Sequence, residues 1–207
     1  MKIQFAMDTL TTEQALEWAS QAAPHVDILE LGTPLIKSAG LSAVTAVKKA
    51  HPDKTVFADM KTMDAGELEA DIAFKAGADL VTILGTADDS TIVGAVQAAR
   101  AHSKGIVVDL IGVRDKAARA REVVKLGAEF VEMHAGLDEQ AQEGYSLDGL
   151  LEAGRTAQVP FSVAGGVKDS SIGAVKDAGA QIAVAGGFIY SANDVGSAAK
   201  KLREAIA

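Results

Sequence analysis

Short apolar runs alternate with longer segments in which apolar residues recur every three to four positions, from one end of the chain to the other. The short runs predict strands at Ile3–Met7, Ile28–Leu31, Val56–Met60, Leu80–Leu84, Ile106–Leu110, Phe130–His134, Phe161–Ala164 and Ile182–Ala185, because runs of that length between turn residues fill a buried strand. The longer segments predict helices, with apolar residues at helical spacing in Leu16/Ala19/Ala23, Leu68/Ile72/Ala76, Ala117/Ala120/Val124 and Val195/Ala198/Leu202. A phrase repeats at the junctions: Ala76-Gly77-Ala78-Asp79-Leu80-Val81, Leu126-Gly127-Ala128-Glu129-Phe130-Val131 and Ala178-Gly179-Ala180-Gln181-Ile182-Ala183. Each puts glycine just past a helix, where a left-handed cap is wanted, and then begins a strand. Recurrence roughly every 50 residues is two strand–helix units, a weak internal repeat.

Eight such units in 207 residues predict an α/β protein, a single (β/α)8 TIM barrel over residues 1–207. No Pro-, Ser- or Gly-rich linker marks a second domain. An open doubly wound sheet would want a glycine-rich phosphate turn after its first strand, and Met7-Asp8-Thr9-Leu10-Thr11-Thr12 contains no glycine.

Composition removes several function classes. A net charge of −8 without a basic run argues against nucleic acid. The absence of cysteine excludes disulfides and thiolate metal sites. No apolar stretch approaches bilayer-spanning length, and Met1–Asp8 reads as a strand rather than a signal peptide, so a soluble cytoplasmic protein is expected. Aromatics are only 4%, which leaves a core of Ala, Val, Leu and Ile.

The chemistry gathers at the strands' C-terminal ends, which face one pocket in a barrel. Those ends carry Asp8, Glu30, Asp59 with Lys61, Asp109 and His134. Flanking apolar neighbours (Leu29 and Leu31 about Glu30, Ala58 and Met60 about Asp59, Val108 and Leu110 about Asp109) give these acids an inward aim by strand parity. Asp59 and Lys61, two apart, share a face, and Asp64 stands where the turn enters the next helix. Taken singly, Asp64 reads equally as a helix cap and Asp59–Lys61 as a solvated pair. Several buried carboxylates with one lysine need a cation or substrate to compensate them. Glu30 and Asp59, on neighbouring strands, are the candidate ligands of a hard cation such as Mg2+. His134 is a candidate proton carrier, whereas His25, His51 and His102 fall in loops or late helix turns and read as surface residues. Glu132 also points inward by parity; a nearby cation or an irregular strand would each account for it.

Strands seven and eight end in Val163-Ala164-Gly165-Gly166-Val167 and Val184-Ala185-Gly186-Gly187-Phe188. Glycine amides can approach an anion closely, the following helices add positive dipole ends, and these loops are the usual phosphate seat of such barrels. A phosphorylated substrate is expected.

The Asp59-x-Lys61-x-x-Asp64 pattern, the terminal Asp8 and the two Gly-Gly turns resemble the orotidine monophosphate decarboxylase superfamily. Within it, Glu30-Leu31-Gly32-Thr33-Pro34, Phe57–Gly66, Val131–Gly136 and Val163–Val167 are similar to the family of 3-hexulose-6-phosphate synthases. The related 3-keto-L-gulonate 6-phosphate decarboxylases typically have Glu, Arg and Arg where this chain has Asp109, Leu137 and Gly187, so it follows the synthase pattern. The resemblance implies a Mg2+-dependent aldolase, with Mn2+ as a substitute, joining formaldehyde to D-ribulose 5-phosphate. It implies metal ligands Glu30 and Asp59, a base His134 oriented by Asp109, and an oxyanion donor Lys61 whose charge Asp59 and Asp64 hold. Asp8 would position substrate hydroxyls or Lys61, and Gly165, Gly166, Gly186 and Gly187 would hold the phosphate. It further implies a homodimer in which Asp64 enters the partner's site. A decarboxylase of the same scaffold and a non-catalytic sugar-phosphate-binding barrel are the competing readings.

Overall fold

The computed structural model describes residues 1–207. Eight strands, β1 (Lys2–Met7), β2 (Ile28–Leu31), β3 (Thr55–Thr62), β4 (Leu80–Leu84), β5 (Gly105–Asp109), β6 (Phe130–His134), β7 (Phe161–Ala164) and β8 (Ile182–Ala185), close into a barrel in sequence order. Every neighbouring pair is parallel, including β1 with β8. This is the expected (β/α)8 barrel. The helices are α1 (Thr12–Ala22), α2 (Thr33–Ala39), α3 (Ser42–Ala50), α4 (Gly66–Lys75), α5 (Asp89–His102), α6 (Lys116–Leu126), α7 (Leu137–Gln140), α8 (Asp148–Ala157), α9 (Ile172–Asp177), α10 (Gly187–Tyr190) and α11 (Val195–Glu204). Three more helices than strands arise because the segments after β2, β6 and β8 each contain a short extra helix. The repeated glycines are the left-handed residues at the ends of α4, α6 and α9, with φ of 108° at Gly77, 112° at Gly127 and 87° at Gly179.

Two apolar regions hold the barrel together. A cluster of 54 buried residues fills the layer between strands and helices. A smaller one plugs the barrel's interior: Ile28, Phe57, Val107, Phe130, Ala164, Ile182 and Val184. Strand side chains alternate between those two regions, so a residue two beyond a plug residue also points inward, one layer higher. Ile28 leads to Glu30, Phe57 to Asp59, Leu80 to Thr82, Val107 to Asp109, and Phe130 to Glu132 and then His134. An apolar floor under a polar mouth is thus written into the strands with a period of two.

Helix α4 does not bury its bulkiest aliphatic residues. The face of α4 that packs inward is Gly66/Ala70/Ala73/Phe74, while Leu68 and Ile72 are 63% and 41% exposed. Two apolar stripes compete on this helix, and the one with small residues fits against α5: a Cβ on Gly66 would lie 1.9 Å from the Thr91 carbonyl oxygen. Leu68, Ile72 and the neighbouring Met63 leave an apolar face uncovered in the single chain. No helix is long and apolar enough to cross a membrane.

Candidate active site

At the C-terminal mouth of the barrel lies a cavity of about 630 Å³ whose wall includes Asp8, Glu30, Asp59, Lys61, Glu132 and His134 at one end. Gly165, Gly166, Gly186 and Gly187 line the other. Asp109 lies fully buried just behind the first group.

Lys61 organises the acidic end. Its Nζ donates to Asp59 Oδ2 at 2.8 Å and Oδ1 at 3.0 Å, and to Asp109 Oδ2 at 3.0 Å. The side chain gets there by an irregular route. β3 shifts register between Ala58 and Thr62, and Lys61 takes a left-handed φ of 44°. Its backbone N–H donates to Thr82 Oγ1 at 3.0 Å, and the same hydroxyl donates to Asp59 Oδ1 at 2.9 Å. Thr33 Oγ1 donates to Asp59 Oδ2 at 2.7 Å. A bulge beside a site re-aims one side chain at the expense of a ladder bond; here Thr82 takes up the freed N–H. Parity alone put Lys61 beside Asp59, and the bulge sends it on to Asp109.

His134 Nδ1 lies 2.9 Å from Asp109 Oδ2 and 3.6 Å from Glu132 Oε2. Asp109 Oδ1 accepts the Ile111 N–H at 2.8 Å. Burial alone would raise the Asp109 carboxyl, but the hydrogen bond and charge of His134, with the charge of Lys61, bring it down to about 2. Asp109 is therefore an acceptor only, so Nδ1 carries the proton and Nε2 is left as the basic atom. Burial opposes protonation of His134, yet the Asp109 bond and the charges of Asp109 and Glu132 raise its pKa overall. Burial likewise opposes the Lys61 ammonium and is outweighed by Asp59, Asp109 and Glu132, which keep it charged.

Two carboxyls are pushed the other way. Burial lifts Glu132 to about 7, with the Asp109 charge adding to it. Burial, then Asp59 and Glu132, hold Glu30 well above the usual range despite the Gln4 amide, whose Nε2 donates to Glu30 Oε2 at 2.8 Å. Glu132 is paired inside a regular strand: Ser162 Oγ donates to its Oε1 at 3.3 Å. Asp8 is raised by burial and by Asp59. Five carboxyls here face one ammonium and one imidazole, an acid excess that suits a cation. Glu30 Oε2 is engaged by Gln4, and its second oxygen has no partner in the chain. Hard oxygen donors in small number are what Mg2+ takes from protein, so Glu30 and Asp59 fit it. Asp109, Glu132 and His134 also bring ligand atoms within 4.8 Å of one another; Nδ1 of His134 and the oxygens of Asp109 are engaged in hydrogen bonds, as both Asp59 oxygens are, whereas Glu30 keeps an oxygen without a partner.

The opposite end is built from backbone. Gly165 and Gly166 have φ of 119° and 81°, and a Cβ on Gly165 would lie 2.7 Å from the Ala135 carbonyl oxygen. Tyr145 Oη donates to the Gly165 carbonyl at 2.6 Å, and Gln140 Nε2 to that of Ala135 at 2.8 Å. Tyr190, on α10, lines the cavity and stacks on Trp18 with ring centres 5.4 Å apart.

Asp64 is elsewhere. It is exposed, its Oδ1 accepts the Ala65 N–H at 2.7 Å, and it borders a groove of about 600 Å³ between α4 and α5. Within the chain, the second carboxylate on Lys61 is Asp109 rather than Asp64, because the bulge turns the lysine inward. His25, His51 and His102 are half-buried and none lines the cavity; His102 Nε2 meets Asp71 Oδ1 at 2.9 Å. Gln4, Thr33, Thr82, Ser162, Tyr145 and Tyr190 join the site without having been singled out in the sequence. For Gln4, Thr82 and Ser162 the signal was there: each is polar between two apolar strand residues.

The family model for the orotidine 5′-phosphate decarboxylase / HUMPS family matches residues 1–202. The chain is 72% identical over 207 residues to a 3-hexulose-6-phosphate synthase of Mycobacterium gastri, covering all of both chains. A crystal structure of a 3-hexulose-6-phosphate synthase superposes with a TM-score of 0.99 at 72% identity, covering 100% of each chain. Another, from Salmonella typhimurium, gives 0.94 at 35% identity, covering 100% of this chain and 98% of the other. This chain belongs to the orotidine 5′-phosphate decarboxylase / HUMPS family, and within it to the 3-hexulose-6-phosphate synthase group.

Proposed function

We propose that this chain is an aldolase that joins formaldehyde to D-ribulose 5-phosphate, giving D-arabino-3-hexulose 6-phosphate. The observation that carries the reading is the Lys61–Asp109–His134 chain of contacts at one end of a cavity whose other end is a glycine turn fit for phosphate. His134 Nε2 removes a proton from C1 of the ketose. Lys61 donates to the enediolate oxygen that gains charge, and Asp59 and Asp109 keep it cationic. C1 then attacks the carbon of formaldehyde, forming the new C–C bond, and the proton held by His134 passes to the former aldehyde oxygen. Asp8 holds the sugar's hydroxyls, while the amides around Gly165, Gly166, Gly186 and Gly187 fix the phosphate and so the register of C1. Glu30 and Asp59 would hold Mg2+, or Mn2+ in its place, and the ion would supply Lewis acidity to the ketose when bound.

The test is loss of formaldehyde in the presence of ribulose 5-phosphate, with Mg2+ and after chelation. Consumption that stops with EDTA and returns with Mg2+ is expected. Release of CO2 from 3-keto-L-gulonate 6-phosphate without formaldehyde uptake would instead favour the decarboxylase reading. Ligand-induced stabilisation without turnover of either would leave only a binding barrel.

The homodimer belongs to the same proposal. The exposed Met63, Leu68 and Ile72 border the turn that carries Asp64, so a second copy covering this face brings Asp64 to a neighbouring cavity. Random mixing of Lys61→Met and Asp64→Asn chains gives half hybrid dimers, each with one intact site, so about a quarter of wild-type activity should return. No recovery in verified hybrids would place Asp64 outside any shared site.

A further inference from the structure

We propose that Lys168 is the cationic partner of the substrate's phosphate, a role that rests on reading the glycine turns as the phosphate seat. Two lysines stand in the cavity wall, Lys61 and Lys168. Lys61 is committed at the acidic end to Asp59 and Asp109. Lys168 follows Gly165-Gly166-Val167 directly and has an exposed side chain. Its own bonds are made by backbone: its N–H donates to Ser171 Oγ at 3.0 Å, and its carbonyl accepts from Ser171 N at 3.0 Å and Ile172 N at 2.9 Å. The main chain at Lys168 is thus pinned, while its ammonium is left without a carboxylate.

Electrostatics requires such a group. A phosphate dianion entering this cavity shares it with a cluster of acids whose one ammonium, Lys61, is already taken up by Asp59 and Asp109, and the chain as a whole carries −8. The helix dipoles expected from the sequence are too short to offset that. α9 has six residues and begins only at Ile172, and α10 has four. A macrodipole needs several aligned turns. Backbone amides alone supply hydrogen bonds but no net charge, and a lysine is a compact point charge of the kind that phosphate sites use. Lys168 is the positive group that the turn after β7 can present.

The experiment compares wild type, Lys168→Met and Lys168→Arg by steady-state kinetics with ribulose 5-phosphate and by competitive inhibition with inorganic phosphate. Loss of one charge-assisted contact should raise both KM and the inhibition constant about tenfold or more in Lys168→Met, with kcat lowered no more than about threefold. Lys168→Arg should stay near wild type, and the two effects should shrink together as salt is raised. A residue that only shaped the loop would shift kcat with KM and would not track phosphate inhibition. Unchanged KM and unchanged inhibition in Lys168→Met would overturn the assignment while leaving the glycine turns in place. If inorganic phosphate fails to compete even in the wild type, the phosphate reading itself falls and Lys168 with it.

Discussion

Lys61→Met should lose turnover by about a thousandfold and destabilise the fold in the same stroke. Removing one preorganised donor to a developing oxyanion typically costs 10²–10³ in rate. The bulge that delivers Lys61 shows that the chain accepts a left-handed φ of 44° to place this one ammonium. The stability effect follows from what is left behind. Asp109 is fully buried and Asp59 is 5% exposed, and breaking a buried pair by deleting one partner costs about 3–5 kcal/mol. Lys61 itself keeps some solvent contact, with its side chain 23% exposed, so the lower end of that range, about 3 kcal/mol, is expected for denaturant unfolding. A double variant separates the two roles. Lys61→Met/Asp109→Asn removes one stranded carboxylate and should recover part of the lost stability, with no return of activity. Lys61→Arg should not restore rate, because a planar fork cannot take the place of a point donor between two carboxylates. A Lys61→Met enzyme that turned over at wild-type rate would remove the oxyanion role outright.

The barrel was legible because its cause is local. Each strand is a short apolar run, three of the crossovers end on a glycine in a left-handed cap, and the eight units follow one another without interruption. The inward acids were legible for the same reason, since parity along a strand survives folding. What parity could not reach was any contact that depends on broken regularity. The register shift in β3 lets Lys61 hold Asp109 as well as Asp59, and no spacing in Asp59-Met60-Lys61 announces it. Nor does a helix's composition decide which of two apolar stripes packs inward. On α4 the answer came from how closely Gly66 approaches Thr91, and Gly94 of α5 approaches Glu67, a property of two helices together. Gln4, Thr82 and Ser162 were within reach of the parity argument; an amide or hydroxyl in a strand simply attracts less notice than a charge. Tyr145 reaches Gly165 from a loop 20 residues away in sequence, which only the closed barrel brings near.

His134→Asn should abolish exchange of the C1 proton of ribulose 5-phosphate with solvent deuterium, about a 10³-fold loss, while the ketose still binds. The expectation rests on which nitrogen is free. Asp109, held ionised by His134 and Lys61, can only accept, so Nδ1 donates and the basic Nε2 remains for substrate. Asp109→Asn tests that logic without touching the imidazole. An amide can donate to Nδ1, which moves the ring proton to Nε2 and blocks the base, so exchange should collapse in this variant too. The pH dependence has a determined sign. Only neutral His134 can take the proton, and its pKa lies above the ordinary imidazole value because Asp109 and Glu132 outweigh the effect of burial. Exchange should therefore rise with pH through a limb centred above about 6.5 and be lost below it. Glu132→Gln takes away one of the two charges that raise this pKa and should shift the limb to lower pH, with the exchange rate on the plateau largely kept. If exchange persists in His134→Asn at the wild-type rate, another group abstracts the proton, and the pairing of His134 with Asp109 has to be explained by structure alone.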